Sequence, residues 1–277
     1  MTKNSRNKKG QFLVASALLF AILFISVASL LSSTTITDVK LLKDDFRKDA
    51  MQIISNFRGA LALALSKVTS ELELSPYNYS YTMDSLFSYM IMDGEEMMIN
   101  WQNTILQQYA GRSINLSITN LVFKCNWNSS VFYSKVNATM TLDIRSYGFY
   151  GLKQNVSSEL TLQFLGRKQV GDEVVIIIKV QKEKGLPVTD LKPSFTNILY
   201  KINGSLENKF INVNPSTLDL IYLGSGVYNV TFSAPDCTQP AMIKMILQDG
   251  RGIVVAAIQE NGTYISDITD NVGPITT

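Results

Sequence analysis

The sequence predicts an α+β fold: a long N-terminal helix, membrane-spanning in its first half, carries a small β head and is followed by a second, all-β sandwich domain. Three observations support this fold class. Residues 12–31 form an uncharged apolar run, residues 39–72 carry an apolar repeat of helical period, and the chain beyond residue 113 alternates apolar and polar side chains as strands do. With 277 residues and 46% hydrophobic content, the chain can form cores of this size.

The apolar run follows a basic leader. No acidic residue precedes Asp38, and the positive charges of the leader all come before Phe12. Such charges stay in the cytoplasm, and a run of this length spans roughly 30 Å as a helix. Residues 11–35 are therefore predicted to cross the membrane once, with a cytoplasmic N-terminus. The alternative is a secretory signal peptide cut near residues 28–29 or 32–33.

A second helical pattern follows the apolar run. Apolar residues from Val39 to Leu72 recur in steps of three and four, at about 3.67 residues per turn, which is typical of one straight amphipathic helix. Because no proline occurs before Pro76, the two patterns predict a single rod over residues 12–74, about 95 Å long. The alternative is a break of the rod at residues 34–37, which are β-branched or N-cap types. Residues 84–110 are expected to fold back on this rod as one or two short helices, interrupted at residues 93–94.

Strands are predicted in two groups. Residues 113–165 supply three or four strands, so residues 36–168 are expected to form the helical rod with a small α+β head. Beyond Asp172, turn signals separate seven further strand candidates, at residues 173–181, 195–202, 209–213, 218–223, 227–234, 241–247 and 253–259. Seven short strands in about 100 residues are typical of an immunoglobulin-like sandwich, so residues 169–277 are predicted to be an Ig-like β-sandwich domain.

Eight Asn-X-Ser/Thr sequons occur, at Asn78, Asn115, Asn128, Asn137, Asn155, Asn203, Asn229 and Asn261. Those at Asn115, Asn137, Asn155 and Asn229 lie in alternating segments, in phase with the polar positions. All four are therefore expected to face solvent. This placement predicts an N-glycosylated extracellular surface. The alternative is that asparagine simply favours turns and polar faces.

The stretch from Lys8 and Lys9 through Gly10 and Gln11 into the apolar run resembles the class III signal of type IV pilins and archaellins. In that family a prepilin-type peptidase cuts after the glycine and leaves the apolar helix on the mature chain. The resemblance implies a ten-residue leader, residues 1–10, cleaved between Gly10 and Gln11. It also implies like or related pilin subunits as partners, a filament core built from residues 11–35, and an archaeal host.

One position departs from the family pattern. Many members carry a glutamate as the fifth residue of the mature chain, whereas Ala15 stands there in this sequence. A minor pilin or pilin-like subunit therefore fits better than a main filament subunit. The expected function is a cell-surface structural or adhesive protein of a type IV pilus-like appendage, single-pass in the cell membrane, with extracellular domains that contact an unknown surface ligand. The alternative is a permanently membrane-anchored binding protein that presents its Ig-like domain.

Composition argues against catalysis. The sequence has no histidine, which removes the commonest general base and metal ligand. Glu95 and Glu96 are adjacent and would diverge on a helix, while Asp44, Asp45 and Asp49 are interpreted as a solvated face. We expect neither enzyme activity nor a metal or other cofactor. The net charge of +2 gives no reason to expect a nucleic-acid partner.

The chain has two cysteines, Cys125 and Cys237, one in each predicted β unit. Outside the cell they can form one disulfide, which would stabilise the fold by about 4 to 5 kcal/mol through the loop it closes. Two separately buried thiols are the alternative, and the sequence leaves both open.

Overall fold

The structure, a computed structural model, describes residues 20, 22–27, 47–70, 83–127, 131–202, 210–235 and 240–260. Two helices precede the strands: α1 covers residues 47–70 and α2 covers Met83–Gln108. The strands are β1 Ile114–Asn126, β2 Phe132–Ile144, β3 Phe149–Val170, β4 Glu173–Lys182, β5 Leu186–Pro187, β6 Thr196–Ile202, β7 Ile211–Asn212, β8 Asp219–Gly224, β9 Val227–Ser233, β10 Pro240–Gln248 and β11 Val254–Glu260.

The strands form two antiparallel sheets. The large sheet has seven strands, six of them in the order β1-β2-β3-β4-β9-β8, with β5 paired to β4. The small sheet has the order β11-β10-β6-β7. The strand candidates of the sequence are confirmed closely, because strict alternation along β2, β4 and β9 buries every second side chain.

One face of the large sheet is buried from β1 to β9, whereas the outermost strand β8 has no buried residue. On the β1 side this face is covered by the helices: the rings of Phe57 on α1 and Trp101 on α2 lie 5.3 Å apart, and α2 packs against β1. Strand β11 of the small sheet packs against β2 and β3. On the β9 side the face is covered by the small sheet, where Tyr200 of β6 lies 6.5 Å from Phe232 of β9 between ring centroids. Most buried residues of both helices and both sheets join in one core, and Leu199, Ile246, Val254 and Ala256 of the small sheet form a second, smaller cluster.

The apolar repeat of α1 makes the helical part of this core. Ile53, Phe57, Leu61, Ala64 and Val68 are all fully buried, at the spacing that places them on one face of a helix. The stripe is therefore used inside the chain, and these residues are not available for contacts between subunits.

Helix α2 contradicts the expected interruption at residues 93–94. The helix is continuous over its 26 residues, and Gly94 lies inside it. A Cβ on this residue would lie 2.7 Å from Val68 Cγ2 and 2.8 Å from Phe123 Cζ. The glycine is therefore explained by the close approach of α2 to α1 and β1, and it does not mark a break in the helix.

The predicted fold class is wrong. It separated a small β head from an Ig-like sandwich near residue 168, whereas β3 pairs with β2 on one side and with β4 on the other. The strands of the expected head and three strands of the expected sandwich therefore form one continuous sheet. The described part of the chain is mainly antiparallel β-structure with two helices packed on it, and it is not a long helix with a head at its end.

The membrane-spanning helix and the single-pass membrane localisation are also corrected. Among the described residues, no helix is long and apolar enough to cross a membrane. Of the predicted span, residues 11–35, the structure describes residue 20 and residues 22–27, which are helical and exposed. The remainder of that span and the leader, residues 1–10, lie outside the described residues.

Candidate functional site

The face of the large sheet that points away from the core, called the outer face below, is rich in amides and hydroxyls. It contains Asn115, Ser117 and Thr119 on β1, Asn137, Thr139 and Thr141 on β2, Asn155 and Ser157 on β3, and Asn229 and Thr231 on β9. Because side chains two residues apart share a face of a strand, each sequon places both its asparagine and its hydroxyl residue here. Four sequons predicted from the sequence are thus brought onto one surface.

The four asparagines differ in their surroundings. Asn115 lies on β1, the outermost strand of the large sheet, and is exposed. Asn155 is exposed too. It lies in the part of β3 that precedes the pairing with β4, which begins at Leu160. Both therefore have a hydrogen-bonded neighbouring strand on only one side within the described structure.

Asn137 and Asn229 lie in interior strands and are half-buried. Asn137 is opposite Val122 of β1 on one side and Ser157 of β3 on the other. Asn229 lies between Ile177 of β4 and Ile221 of β8. Its side-chain oxygen is buried without a hydrogen-bond partner among the described residues, an arrangement that costs about 1 to 3 kcal/mol.

A shallow cleft of about 250 Å³ crosses the outer face beside Asn155 and is lined by polar side chains of Asn120, Asn137, Thr139 and Ser157. The Thr139 hydroxyl donates a hydrogen bond of 2.9 Å to the side-chain oxygen of Asn155. Asn120 lies in a β-bulge of β1 with a left-handed φ of 53°, and its side-chain nitrogen lies 3.5 Å from Thr139 Oγ1. Asn120 was not predicted from the sequence, because its position in the cleft depends on the bulge.

A buried charged network joins the tip of the β10–β11 hairpin to the large sheet. The Arg251 guanidinium pairs with Asp249 and Glu183 and donates to the backbone oxygen of Glu159, at 2.9 Å. Burial raises the pKa of Glu183, but hydrogen bonds from the Glu159 N–H and from Arg251 outweigh it, so the net pKa is lowered. Residues 249–253 form the turn of this hairpin, where the Gly252 N–H donates to the backbone oxygen of Asp249, at 2.9 Å.

Helix α1 binds the same hairpin from the other side. Ser66 Oγ donates to the backbone oxygen of Gly252, at 2.9 Å, and the backbone N–H of Val254 donates to Thr69 Oγ1, at 3.0 Å. Thr69 is fully buried, so this contact satisfies a backbone donor that water cannot reach. The network and these two contacts hold the helices, the small sheet and the large sheet together.

A second cleft, of about 360 Å³, lies where α1 meets the end of α2 and is lined by Lys48, Asp49, Gln52, Gln108, Tyr109 and Arg112. Asp49 pairs with Arg112 and is 7% exposed, so the expectation that it lies on a solvated face is wrong. The pairing could not be read from the sequence, because the two residues are 63 positions apart.

Cys125 lies near the end of β1 with its thiol beside Ser134. Burial raises the pKa of this thiol to about 12, although hydrogen bonds with Ser134 and the backbone of Lys135 act in the opposite direction. A thiol with such a pKa is unreactive at neutral pH. Cys237 lies outside the described residues, so the proposed disulfide stays a prediction.

The remaining predicted site residues also lie outside the described part of the chain: the leader residues Lys8, Lys9, Gly10 and Gln11, and the sequon residues Asn78, Asn128, Asn203 and Asn261. In the part that the structure describes, no group of three or more acidic or cysteine side chains is placed to hold a metal ion. No protein-family model matches the chain, and no curated protein sequence matches it significantly.

Proposed function

We propose that this chain is a structural or adhesive subunit, of the minor pilin type, which assembles with like or related subunits into a type IV pilus-like appendage. Its β-sheet body would carry N-linked glycans on the outer face, and it would have no catalytic role. The proposal combines the resemblance of residues 8–11 and the following apolar run to a class III signal with two features of the described structure.

The observation that carries the proposal is the exposure of apolar side chains at the helical residues 20 and 22–27. Phe20 and Phe24 are 69% and 75% exposed, and Ile22, Leu23, Ile25 and Val27 are exposed with them. Contiguous apolar surface of this kind is typical of an interaction site. Equivalent helices from neighbouring subunits would bury it, in the way that amphipathic helices associate in bundles.

The buried stripe of α1 limits where assembly can take place. Because Ile53, Phe57 and Leu61 are already packed against the chain's own sheet and second helix, α1 contributes to the body of the subunit. Assembly is therefore assigned to the apolar segment that precedes α1. An exposed apolar segment for assembly and a separate helix for folding support a filament subunit whose body lies outside the filament core.

The N-terminal sequence and intact mass of the native protein test the proposal. We expect the chain to begin at Gln11 with the apolar segment retained, and the Gly10→Val variant to keep Met1 or Thr2 at its start and to be absent from sheared filaments. A native chain that begins at Met1 or Thr2 would contradict the proposal, as would one that begins beyond the apolar run.

A matched pair of variants tests the assembly segment. Phe24→Arg places a charge in the exposed apolar helix and is expected to remove the subunit from filaments while the processed chain still folds. Val170→Arg changes an equally apolar residue, 64% exposed, at the far end of β3, and is expected to leave incorporation unchanged. Equal incorporation of the two variants would contradict assembly through residues 20–27.

A further inference from the structure

We propose that, of the four sequons on the outer face, only those at Asn115 and Asn155 receive glycans, while those at Asn137 and Asn229 stay unmodified. The inference rests on the glycosylation included in the proposed function, and it assigns that modification to particular residues. Each of the four sites has an apolar residue between its asparagine and its hydroxyl residue, which is a serine after Asn115 and Asn155 and a threonine after Asn137 and Asn229.

The first argument is access. In N-glycosylation the side-chain nitrogen of asparagine attacks C1 of a sugar held on a phosphate-linked donor. The N–C1 bond forms, the C1–O bond to phosphate breaks, the phosphate leaves with the electron pair, and a base of the transferase takes the amide proton. The enzyme and its donor must therefore surround the amide. Asn115 and Asn155 are exposed, and among the described residues each has a paired strand on one side only, which leaves its other flank open there.

The second argument concerns the surroundings of the side-chain amides of Asn137 and Asn229, which lie in interior strands. Asn137 is half-buried between paired residues on both neighbouring strands. Asn229 lies opposite Ile177 and Ile221 on the two paired strands, and its side-chain oxygen is buried. A glycan on either nitrogen would have to fit between residues of both neighbouring strands. Adding bulk at such positions forces side chains off their preferred rotamers.

The third argument is the cleft beside Asn155. Because the Thr139 hydroxyl donates to the side-chain oxygen of Asn155, the nitrogen of the same amide is directed away from Thr139 and is free for the sugar. Asn120, Thr139 and Ser157 line the cleft with neutral donors and acceptors, which suit the hydroxyl groups of a sugar. The first sugar of the glycan would lie over this cleft, whereas a glycan on Asn137 would compete for the same space.

Site-resolved glycopeptide mass spectrometry on the full chain, produced in its native host, tests the inference. We expect glycans on Asn115 and Asn155 and unmodified peptides at Asn137 and Asn229. Four matched variants give an independent reading by intact mass. Asn115→Gln and Asn155→Gln are each expected to lower the mass by one glycan, whereas Asn137→Gln and Asn229→Gln are expected to change it only by the substitution. The comparison of intact masses is valid even if the four variants differ in stability.

Glycans at Asn137 or Asn229 would overturn the inference and leave the proposed function intact. A chain without a glycan at Asn115 or at Asn155 would overturn it as well. Absence of glycans from all eight sequons would further remove the glycosylated surface from the proposed function, whereas filament assembly is judged separately by the N-terminal sequence and the Phe24→Arg variant.

Discussion

The two halves of the large sheet are built alike but covered differently. Strand β1 packs against α2 and has two buried residues, Leu116 and Phe123, whereas β2 and β3 pack against β11, and β9 packs against β6, in the small sheet. The period of two does not reveal this difference, since it shows which side chains are buried and not whether a helix or a sheet lies above them. An inner face needs only an apolar layer above it, and either a helix pair or a second sheet provides one. Two regions of one sheet therefore differ mainly in the element that packs on them, a helix pair or a second sheet, and less in the pattern of their strands.

In each half a glycine lies where two elements approach most closely. Substitution of these glycines by alanine is expected to show the largest difference in stability between the two halves. In the half covered by the small sheet, Gly226 has a φ of 79°, and a Cβ there would lie 2.4 Å from the backbone oxygen of Val180. Gly226→Ala combines backbone strain with a clash against a paired strand. We expect a loss of about 3 to 5 kcal/mol in the free energy of unfolding, measured in urea.

The control for this substitution is Gly171→Ala, at the turn between β3 and β4. Gly171 has a similar φ of 62°, but nothing lies within 4 Å of the added Cβ. Only the backbone strain remains, so a loss of about 1 kcal/mol is expected. Equal losses for the two variants would mean that the contact with Val180 does not limit the turn.

The network at the junction of the two halves gives the next largest effect. Glu183 accepts hydrogen bonds from Ser158, from the backbone of Glu159 and from Arg251, and its carboxylate is 21% exposed. The pKa of Glu183 is lowered in the folded state. Its carboxylate therefore stabilises the fold at pH values above its unfolded pKa of about 4.3, and this contribution to stability is lost as the pH falls through the pKa of the folded state. Glu183→Gln should therefore cost about 2 kcal/mol at pH 7.

Urea unfolding of both proteins at pH 7 and at pH values below 4 measures this dependence. We expect the difference between native protein and variant to shrink as the pH falls, because both then carry an uncharged side chain at this position. Glu173→Gln, on the exposed start of β4, is the matched control and should change little at any pH. A constant difference between native protein and Glu183→Gln would assign the stabilisation to packing.

In the half covered by the helices, the corresponding glycine substitution should have a smaller effect. Gly94→Ala gains about 1 kcal/mol in helix propensity, but its Cβ would meet the side chains of Val68 and Phe123, at a cost of about 1 to 3 kcal/mol. Side chains can shift where a paired backbone cannot, so a net loss of about 1 kcal/mol is expected. Gly59→Ala on α1 has nothing within 4 Å and should stabilise the protein, so a gain for both variants would disprove the close packing at Gly94.

The sequence predicted the local features of this fold well. The period of two placed most strands within a residue or two of their observed ends, as at Glu173–Lys182, and the eleven-residue repeat identified the buried stripe of α1. Both signals are local, because each depends on a side chain and its near neighbours in the chain. The repeat does not state what covers the stripe, so it could not show that these residues lie in the chain's own core.

The features that the sequence did not predict all depend on contacts between distant segments. The continuous sheet requires β3 to pair on both sides, and no pattern within 149–170 specifies its second partner. The pairs Asp49–Arg112 and Glu183–Arg251 join residues 63 and 68 positions apart. Likewise, alternation placed the four sequons on one face, but only the strand order and the register of β3 against β4 distinguish Asn115 and Asn155, which have one paired strand among the described residues, from Asn137 and Asn229, which have two.

The last prediction concerns Cys125, in the half covered by the helices. It addresses the rate at which the thiol is alkylated and not the stability of the fold. With its pKa raised to about 12, the thiol is almost wholly protonated at pH 8, whereas an exposed cysteine with a pKa of about 8.5 is about one quarter thiolate. We expect iodoacetamide to label Cys125 at least about a thousandfold more slowly in the folded chain than in urea, as read by peptide mass spectrometry.

The same experiment separates the two alternatives for the cysteines. If Cys125 is a buried thiol, urea alone makes it reactive, because unfolding restores the ordinary pKa and gives access to the reagent. If it forms a disulfide with Cys237, it stays unlabelled in urea until a reductant is added. Rapid labelling in the folded state would contradict both, and would mean that the end of β1 opens to solvent where Ser134 contacts the backbone of Val254.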